Sequence, residues 1–352
     1  MESRNYKVGG HIFRVEVENP WKFMDYTGPV LERIRSAAEG ESPDIKPTRA
    51  GDNVPARTFV QSREELPADM NGRTLDFSQY EPFRTLEEAD LFKLKVCASE
   101  PEWLTKEMAD GRIRQILKVD EYPPCYYIYD RNGETIYEFD ADKGHIAGTL
   151  RISKDYKSGE YYPKSGFGAY TNLFQISTAL MMMFTYNSAL RETMLMHSSV
   201  IRHNGKANMF LGTSGTGKST HSRLWLNHIE GTDLINDDNP VIRLEDVGDG
   251  NRKLFVYGSP WSGKTPCYRN IKVEVRAIVR LSQAPKNDIN PLQGLNAYAS
   301  ILASASCIRW DRHIMDKITA TASSIAMKVP CYDLKCLPDA DAAITCCNYI
   351  EK

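Results

Sequence analysis

A glycine-rich stretch between an apolar run and a helix-forming run carries the clearest chemistry in this chain. Met209-Phe210-Leu211 leads into Gly212-Thr213-Ser214-Gly215-Thr216-Gly217-Lys218-Ser219-Thr220, and residues 222–228 read as the helix that follows. The stretch fits G-x-x-x-x-G-K-[ST], the phosphate-binding P-loop. Glycines let the backbone curl so that several N–H groups point at one anion. The helix behind them adds the positive end of its dipole. Lys218 then reaches the β- and γ-phosphates of a nucleotide, and the Ser219 hydroxyl can ligate Mg²⁺. Gly212, Ser214, Gly215, Thr216, Gly217 and Thr220 complete the expected ATP cradle.

Three further features belong with this loop. Ile235-Asn236-Asp237-Asp238-Asn239-Pro240 is a short apolar run ending in paired carboxylates. At the end of a strand, one carboxylate holds a metal and the other takes the proton of an attacking hydroxyl. Either carboxylate could take either part, and the expectation puts the metal on Asp238. His197 precedes two short strands, 198–202 and 208–211, joined through His203-Asn204-Gly205-Lys206. An antiparallel pair there brings His197 beside the phosphates, where an imidazole can steady charge or relay a proton. Gly258-Ser259-Pro260-Trp261-Ser262-Gly263-Lys264-Thr265 also fits the P-loop expression. Pro266 and a period-two run follow it, however, and not a helix. It is expected to be a loop over the first site, presenting Lys264 and Arg269 to phosphate or substrate.

Together, His197, the 212–220 loop and Asn236-Asp237-Asp238 resemble the catalytic domain of HPr kinase/phosphorylase and of ATP-dependent phosphoenolpyruvate carboxykinase. The resemblance runs from Met196 to Lys352, a block that looks like an uncharacterised branch of HPr-kinase-like proteins. Thr220 stands where HPr kinases carry an acidic residue. The resemblance implies ATP and Mg²⁺ as cofactors, with Lys218 and Ser219 on phosphate and metal, and Asp237 and Asp238 as metal ligand and base. It implies an ATP-dependent kinase acting on a hydroxyl of an unknown acceptor, either a small molecule or a protein serine. Two alternatives stand beside it. One is a carboxykinase-type lyase, for which Arg202 and Arg269 are the candidate carboxylate-binding arginines. The other is a regulatory protein that binds nucleotide without turnover.

The elements that must position these residues are legible in outline. The expected class is α/β: a P-loop nucleotide-binding domain over 167–352 behind a strand-rich α+β domain of unnamed role over 1–166. Phe13, Val15 and Val17 alternate with charged residues, as do Phe92, Leu94 and Val96, which predicts half-buried strands. Asn132-Gly133 predicts one hairpin turn and Ser158-Gly159 a second. Residues 36–80 carry four prolines and read as a long irregular segment. Residues 173–190 read as an apolar helix whose Met181-Met182-Met183 cluster is core. Short strands and helices then alternate to a closing helix from Asp339.

Composition narrows the class. The 352 residues are 41% hydrophobic and 26% charged, with a net charge of −2. That suits an ordinary globular chain and gives nucleic acid no basic surface. The eight cysteines contain no C-x-x-C pair, and the N-terminus lacks an apolar leader. Reduced thiols and a cytoplasmic location are expected, with no membrane partner and with homo-oligomerisation left open.

Overall fold

The computed structural model describes residues 1–39, 73–119, 125–142 and 144–352. They form a mixed α/β chain that divides into two units. The first holds described residues 1–26, 73–78 and 84–188; the second holds 27–39, 79–83 and 189–352.

Period-two patterning makes the strands of the first unit. These are β1 (Glu2–Val8), β2 (His11–Val17), β3 (Lys22–Phe23), β4 (Thr74–Leu75), β5 (Arg84–Thr85), β6 (Phe92–Val96), β7 (Arg114–Val119), β8 (Cys125–Arg131), β9 (Glu134–Asp142), β10 (His145–Ile152) and β11 (Ser158–Pro163). Nine of them form one sheet in the order β5-β1-β2-β6-β11-β10-β9-β8-β7. Asn132 and Gly133, both with positive φ, close the β8–β9 hairpin as expected. Ser158 and Gly159 do not turn the chain; they lie inside β11, paired with β10. The turn falls just before them. Asp155 Oδ1 accepts the Lys157 N–H at 3.1 Å and the Ser153 hydroxyl at 2.6 Å, and Ser153 Oγ accepts the Ser158 N–H at 3.0 Å. Side-chain oxygens that bind local N–H groups make a tight turn without glycine.

Two helices of the first unit follow the chain, α2 (Glu102–Ala109) and α3 (Ala169–Ala189). Helix α3 is apolar and buries Met182, Met183 and Phe184. Phe184 meets Phe13 edge-on at 6.5 Å, and the Tyr186 and Tyr137 hydroxyls share a 2.7 Å hydrogen bond. These contacts tie α3 to the first sheet. The division therefore falls at Ser188/Ala189, where the expectation had put it near Gly166. Of the expected irregular segment, 40–72 lies outside the described residues. Its described flanks contain α1 (Gly28–Glu39) and a 3₁₀ turn at Ser78–Phe83, neither foreseen.

The second unit carries β12 (Thr193–Leu195), β13 (Ser198–His203), β14 (Lys206–Leu211), α4 (Lys218–His228), β15 (Asp233–Asn236), β16 (Val241–Asp246), β17 (Arg252–Tyr257), β18 (Lys272–Gln283), β19 (Asp288–Pro291), α5 (Gly294–Ser304), α6 (Arg312–Lys328), β20 (Cys331–Cys336) and α7 (Ala340–Ile350). Its sheet runs β12-β16-β17-β18-β14-β13-β15, with β20 paired to β18 and to β19. The β14–β18 and β18–β20 pairs are parallel. Successive residues of β14 face opposite sides. Phe210 joins Trp225 of α4 and Cys346 of α7 in one core, while Leu211 shares a cavity wall with Ser300 and Ser304 of α5. Asp311 and Asp339 cap α6 and α7 through their carboxylates. No described helix is long and apolar enough to cross a membrane. Cys97, Cys267, Cys307, Cys331, Cys336, Cys346 and Cys347 are free thiols.

Candidate functional site

β14 delivers the chain to the glycine loop and α4 carries it away. Gly217, at the N-cap of α4, has φ 105°, a conformation L side chains rarely adopt. A Cβ on Gly212 would lie 3.1 Å from the Thr216 side chain. The loop is thus a tight curl, in which crowding disfavours a side chain at Gly212 and a left-handed backbone disfavours one at Gly215 and Gly217. No side chain caps α4, so its first N–H groups remain for another acceptor. Ser219 is half-buried in that first turn.

Lys218 is 8% exposed and closes the curl from inside. Its ammonium donates to the carbonyls of Gly212 at 2.8 Å and Thr213 at 3.3 Å, and to His197 Nε2 at 2.9 Å. Burial pushes its pKa down, while the charges of Asp238 and Asp237 pull it up. An ammonium only donates, so Nε2 accepts and the ring proton sits on Nδ1. That proton faces Asp238 Oδ1 at 3.0 Å. Asp238, His197 and Lys218 form one chain running into the loop.

Asp237 meets different partners. Ser199 Oγ donates to its Oδ1 at 2.6 Å, and Thr265 Oγ1 donates to its Oδ2 at 2.5 Å. Ser199 Oγ also lies 2.6 Å from Ser222 Oγ on α4. The Asp237 N–H donates to Ser262 Oγ at 3.2 Å, and the Asp238 N–H donates to Asn236 Oδ1 at 3.0 Å. Asn236 Nδ2 in turn donates to Ser259 Oγ at 3.2 Å. The carboxylate pair is therefore locked to the 258–265 loop on one side and to α4 on the other.

The 258–265 loop is built differently from the 212–220 loop. No helix follows it among the described residues; the chain runs on to β18. Its glycines serve close packing. A Cβ on Gly258 would lie 1.9 Å from the Arg269 carbonyl oxygen, and one on Gly263 would lie 2.9 Å from Asp238 Oδ2. Trp261 is buried and meets Tyr80 edge-on at 6.3 Å. Lys264 is exposed at the tip.

The structure brings His197, Lys218, Asp237 and Asp238 together and sets Ser219 at the same loop. It does not bring Arg269 there. Arg269 is 2% exposed and gives Nη1 to Asp233 Oδ2 at 2.7 Å and to the Leu234 carbonyl at 2.6 Å. Arg202 holds the same carboxylate through Nε at 2.9 Å and Nη2 at 2.6 Å. Both arginines are spent on one ion pair under the sheet edge. Sequence reasoning missed Ser199, Ser222, Ser262 and Thr265. Ser262 and Thr265 lay inside the second motif fit, and Ser199 lies two residues after His197. Ser222 carries no pattern of its own.

Two cavities of about 530 Å³ each flank the glycine loop. One is walled by Thr220, His221 and Leu224 of α4 with Leu281, Cys336 and Pro338. The other is walled by His197, Arg280, Ser282, Ser300 and Ser304.

Residues 169–338 match the family described as SynChlorMet cassette protein ScmC. The match is just under half of the chain, and the chain is similar to that family over α3, the glycine loop, the aspartate pair and the 258–265 loop. No curated protein matches the chain.

Proposed function

We propose that this chain is an ATP- and Mg²⁺-dependent kinase, similar to HPr kinase in its catalytic unit, that transfers a phosphoryl group to a hydroxyl. The observation that carries this reading is the hydrogen-bonded chain Asp238–His197–Lys218 entering a glycine curl whose following helix has no side-chain cap. The donor set fits the cofactors. Ser219 and Asp237 offer hard oxygen ligands of the kind Mg²⁺ takes. Each Asp237 oxygen accepts one hydroxyl and keeps a further lone pair for a metal or its water. Bound Mg²⁺ would supply charge neutralisation on the transferring group. Lys218 would hold the β- and γ-phosphates, exchanging the loop carbonyls for phosphate oxygens. Asp238, oriented by His197, would take the proton of the acceptor hydroxyl. The acceptor's hydroxyl oxygen would form the new bond to Pγ as the Pγ–O bond to ADP broke, ADP leaving with the electron pair.

The carboxykinase-type alternative loses its arginines, since Arg202 and Arg269 are both bound to Asp233. A protein that only binds nucleotide has no use for a relay at the γ-phosphate end. A cytoplasmic setting agrees with free thiols and an ATP requirement.

Mg-ATP should raise the melting temperature, because ligand at a hundredfold excess over its Kd adds about 2.7 kcal/mol of stability. Lys218→Ala should lose most of that shift. No shift with saturating Mg-ATP would sink the kinase reading.

A further inference from the structure

The two cavities beside the glycine loop differ in chemistry. The first touches Gly217 and Thr220; like the second its wall is mostly apolar, and it carries no arginine. It suits a nucleoside. The second contains His197 and so opens at the relay. Its wall carries the imidazole, the Arg280 guanidinium and the hydroxyls of Ser282, Ser300 and Ser304, with no carboxylate among the lining residues.

Arg280 is built into place. Asp333 on β20 accepts from its Nε at 2.7 Å, and its Nη1 reaches Ser300 Oγ on α5 at 3.4 Å. Nη2 has no partner among the described residues. The side chain is 40% exposed although it is anchored at both edges. Such a guanidinium can still offer two parallel N–H groups to a planar anion. Register fixes its distance from the chemistry. Ser198 pairs with Leu211, and Leu211 pairs with Arg280, on three adjacent strands. Two strand spacings separate Arg280 from the residue next to His197, roughly 10 Å between backbones. A molecule of a few carbons spans that gap once both side chains reach inward.

We infer that the cavity between the glycine loop and α5 holds the phosphoryl acceptor, and that the acceptor is a small hydroxy acid whose carboxylate docks on Arg280. The inference rests on the kinase reading above. The hydroxyl end lies at His197, whose Nδ1 is 3.0 Å from Asp238 Oδ1, and the hydroxyls of Ser300 and Ser304 line the space between.

The test uses the full chain with Mg-ADP and three probes: glycerate, serine and malate, each beside its methyl ester. Calorimetry reads binding, and labelled ATP reads transfer. At least one acid should bind and accept phosphate, with its ester at least tenfold weaker in both. Arg280→Met should weaken that acid at least tenfold and leave its ester unchanged. Arg280→Lys, which keeps a cation opposite Asp333, should fall between. Melting temperatures without ligand check that both variants fold. Acids and esters that bind alike, an acid indifferent to Arg280→Met, or transfer only to protein would overturn the inference. So would three silent acids when Mg-ATP still raises the melting temperature. A missing Mg-ATP shift would instead remove the kinase reading, and this inference with it.

Discussion

Asp237 and Asp238 are neighbours in sequence, yet they face different partners. Asp237 receives short hydroxyl bonds on both oxygens, from Ser199 and Thr265. Such a carboxylate is fixed in orientation and suits a metal site. Asp238 has an imidazole on one oxygen, and that imidazole leads to Lys218. A proton arriving at Asp238 meets a polarisable partner at once. Asp238→Asn should therefore keep the Mg-ATP thermal shift and lose phosphoryl transfer by roughly 10²–10⁴-fold, the usual contribution of a general base. Asp237→Asn should lose the Mg²⁺ dependence of nucleotide binding. Thermal-shift titrations with and without Mg²⁺, beside transfer assays, separate the two. Wild-type turnover in both variants would reduce the pair to a turn.

The 258–265 loop is the element that turns two carboxylates into a site. It places Ser262 and Thr265 on Asp237 and passes its backbone over Asp238 at Gly263. Gly263 has φ 60°, and its Cβ would lie 2.8 Å from Asp238 Cβ. Gly263→Ala must adopt a left-handed backbone, at about 1–2 kcal/mol, and also push Asp238 away. We expect a modest fall in melting temperature with a disproportionate loss of transfer. Equal turnover in this variant would show that the loop does not set the position of Asp238. The same element bears on stoichiometry. It fits the P-loop expression but leads to no helix, so calorimetry should find one ATP per chain, and Lys264→Ala should leave that number unchanged. Two sites, with one lost in Lys264→Ala, would contradict the assignment of this loop.

At the scale of the whole molecule, stability carries a pH signature from the second unit. His221 is 3% exposed on the buried face of α4, and its Nε2 accepts from Trp225 Nε1 at 3.1 Å. Burial pushes its pKa down to about 4 from an ordinary 6.5. Above pH 6.5 the ring is neutral in folded and unfolded chains alike. Between 6.5 and about 4 only the unfolded chain takes the proton, so stability falls as pH falls. The loss is about 1.4 kcal/mol per pH unit, about 3 kcal/mol across the window. His221→Gln lacks this contribution, so its melting temperature should decline less than that of the native chain from pH 7 to 4. Parallel curves would show that His221 does not couple folding to protons.

Local sequence determined the pieces whose signals are themselves local. The glycine loop, its flanking strand and helix, the Asn132-Gly133 turn and the apolar α3 follow from spacing and backbone preference, because each is decided within a few residues. The hairpin through His203-Asn204-Gly205-Lys206 also placed His197 near Lys218 in advance. Other features depended on what lies across space. The turn before β11 came from Asp155 and Ser153 side chains, not from Gly159 inside the strand. Helix α3 joined the first unit because Phe184 and Tyr186 found aromatic partners on its sheet. Arg269, adjacent to a promising loop, went to Asp233, since a buried guanidinium needs a paired charge more than an open loop does. Ser199 and Thr265 come from separate stretches, and only packing makes them converge on the Asp237 carboxylate, with Ser222 of α4 bonded to Ser199 behind it. Backbone preference is read along the chain, but hydrogen-bond partners are chosen by the tertiary fold.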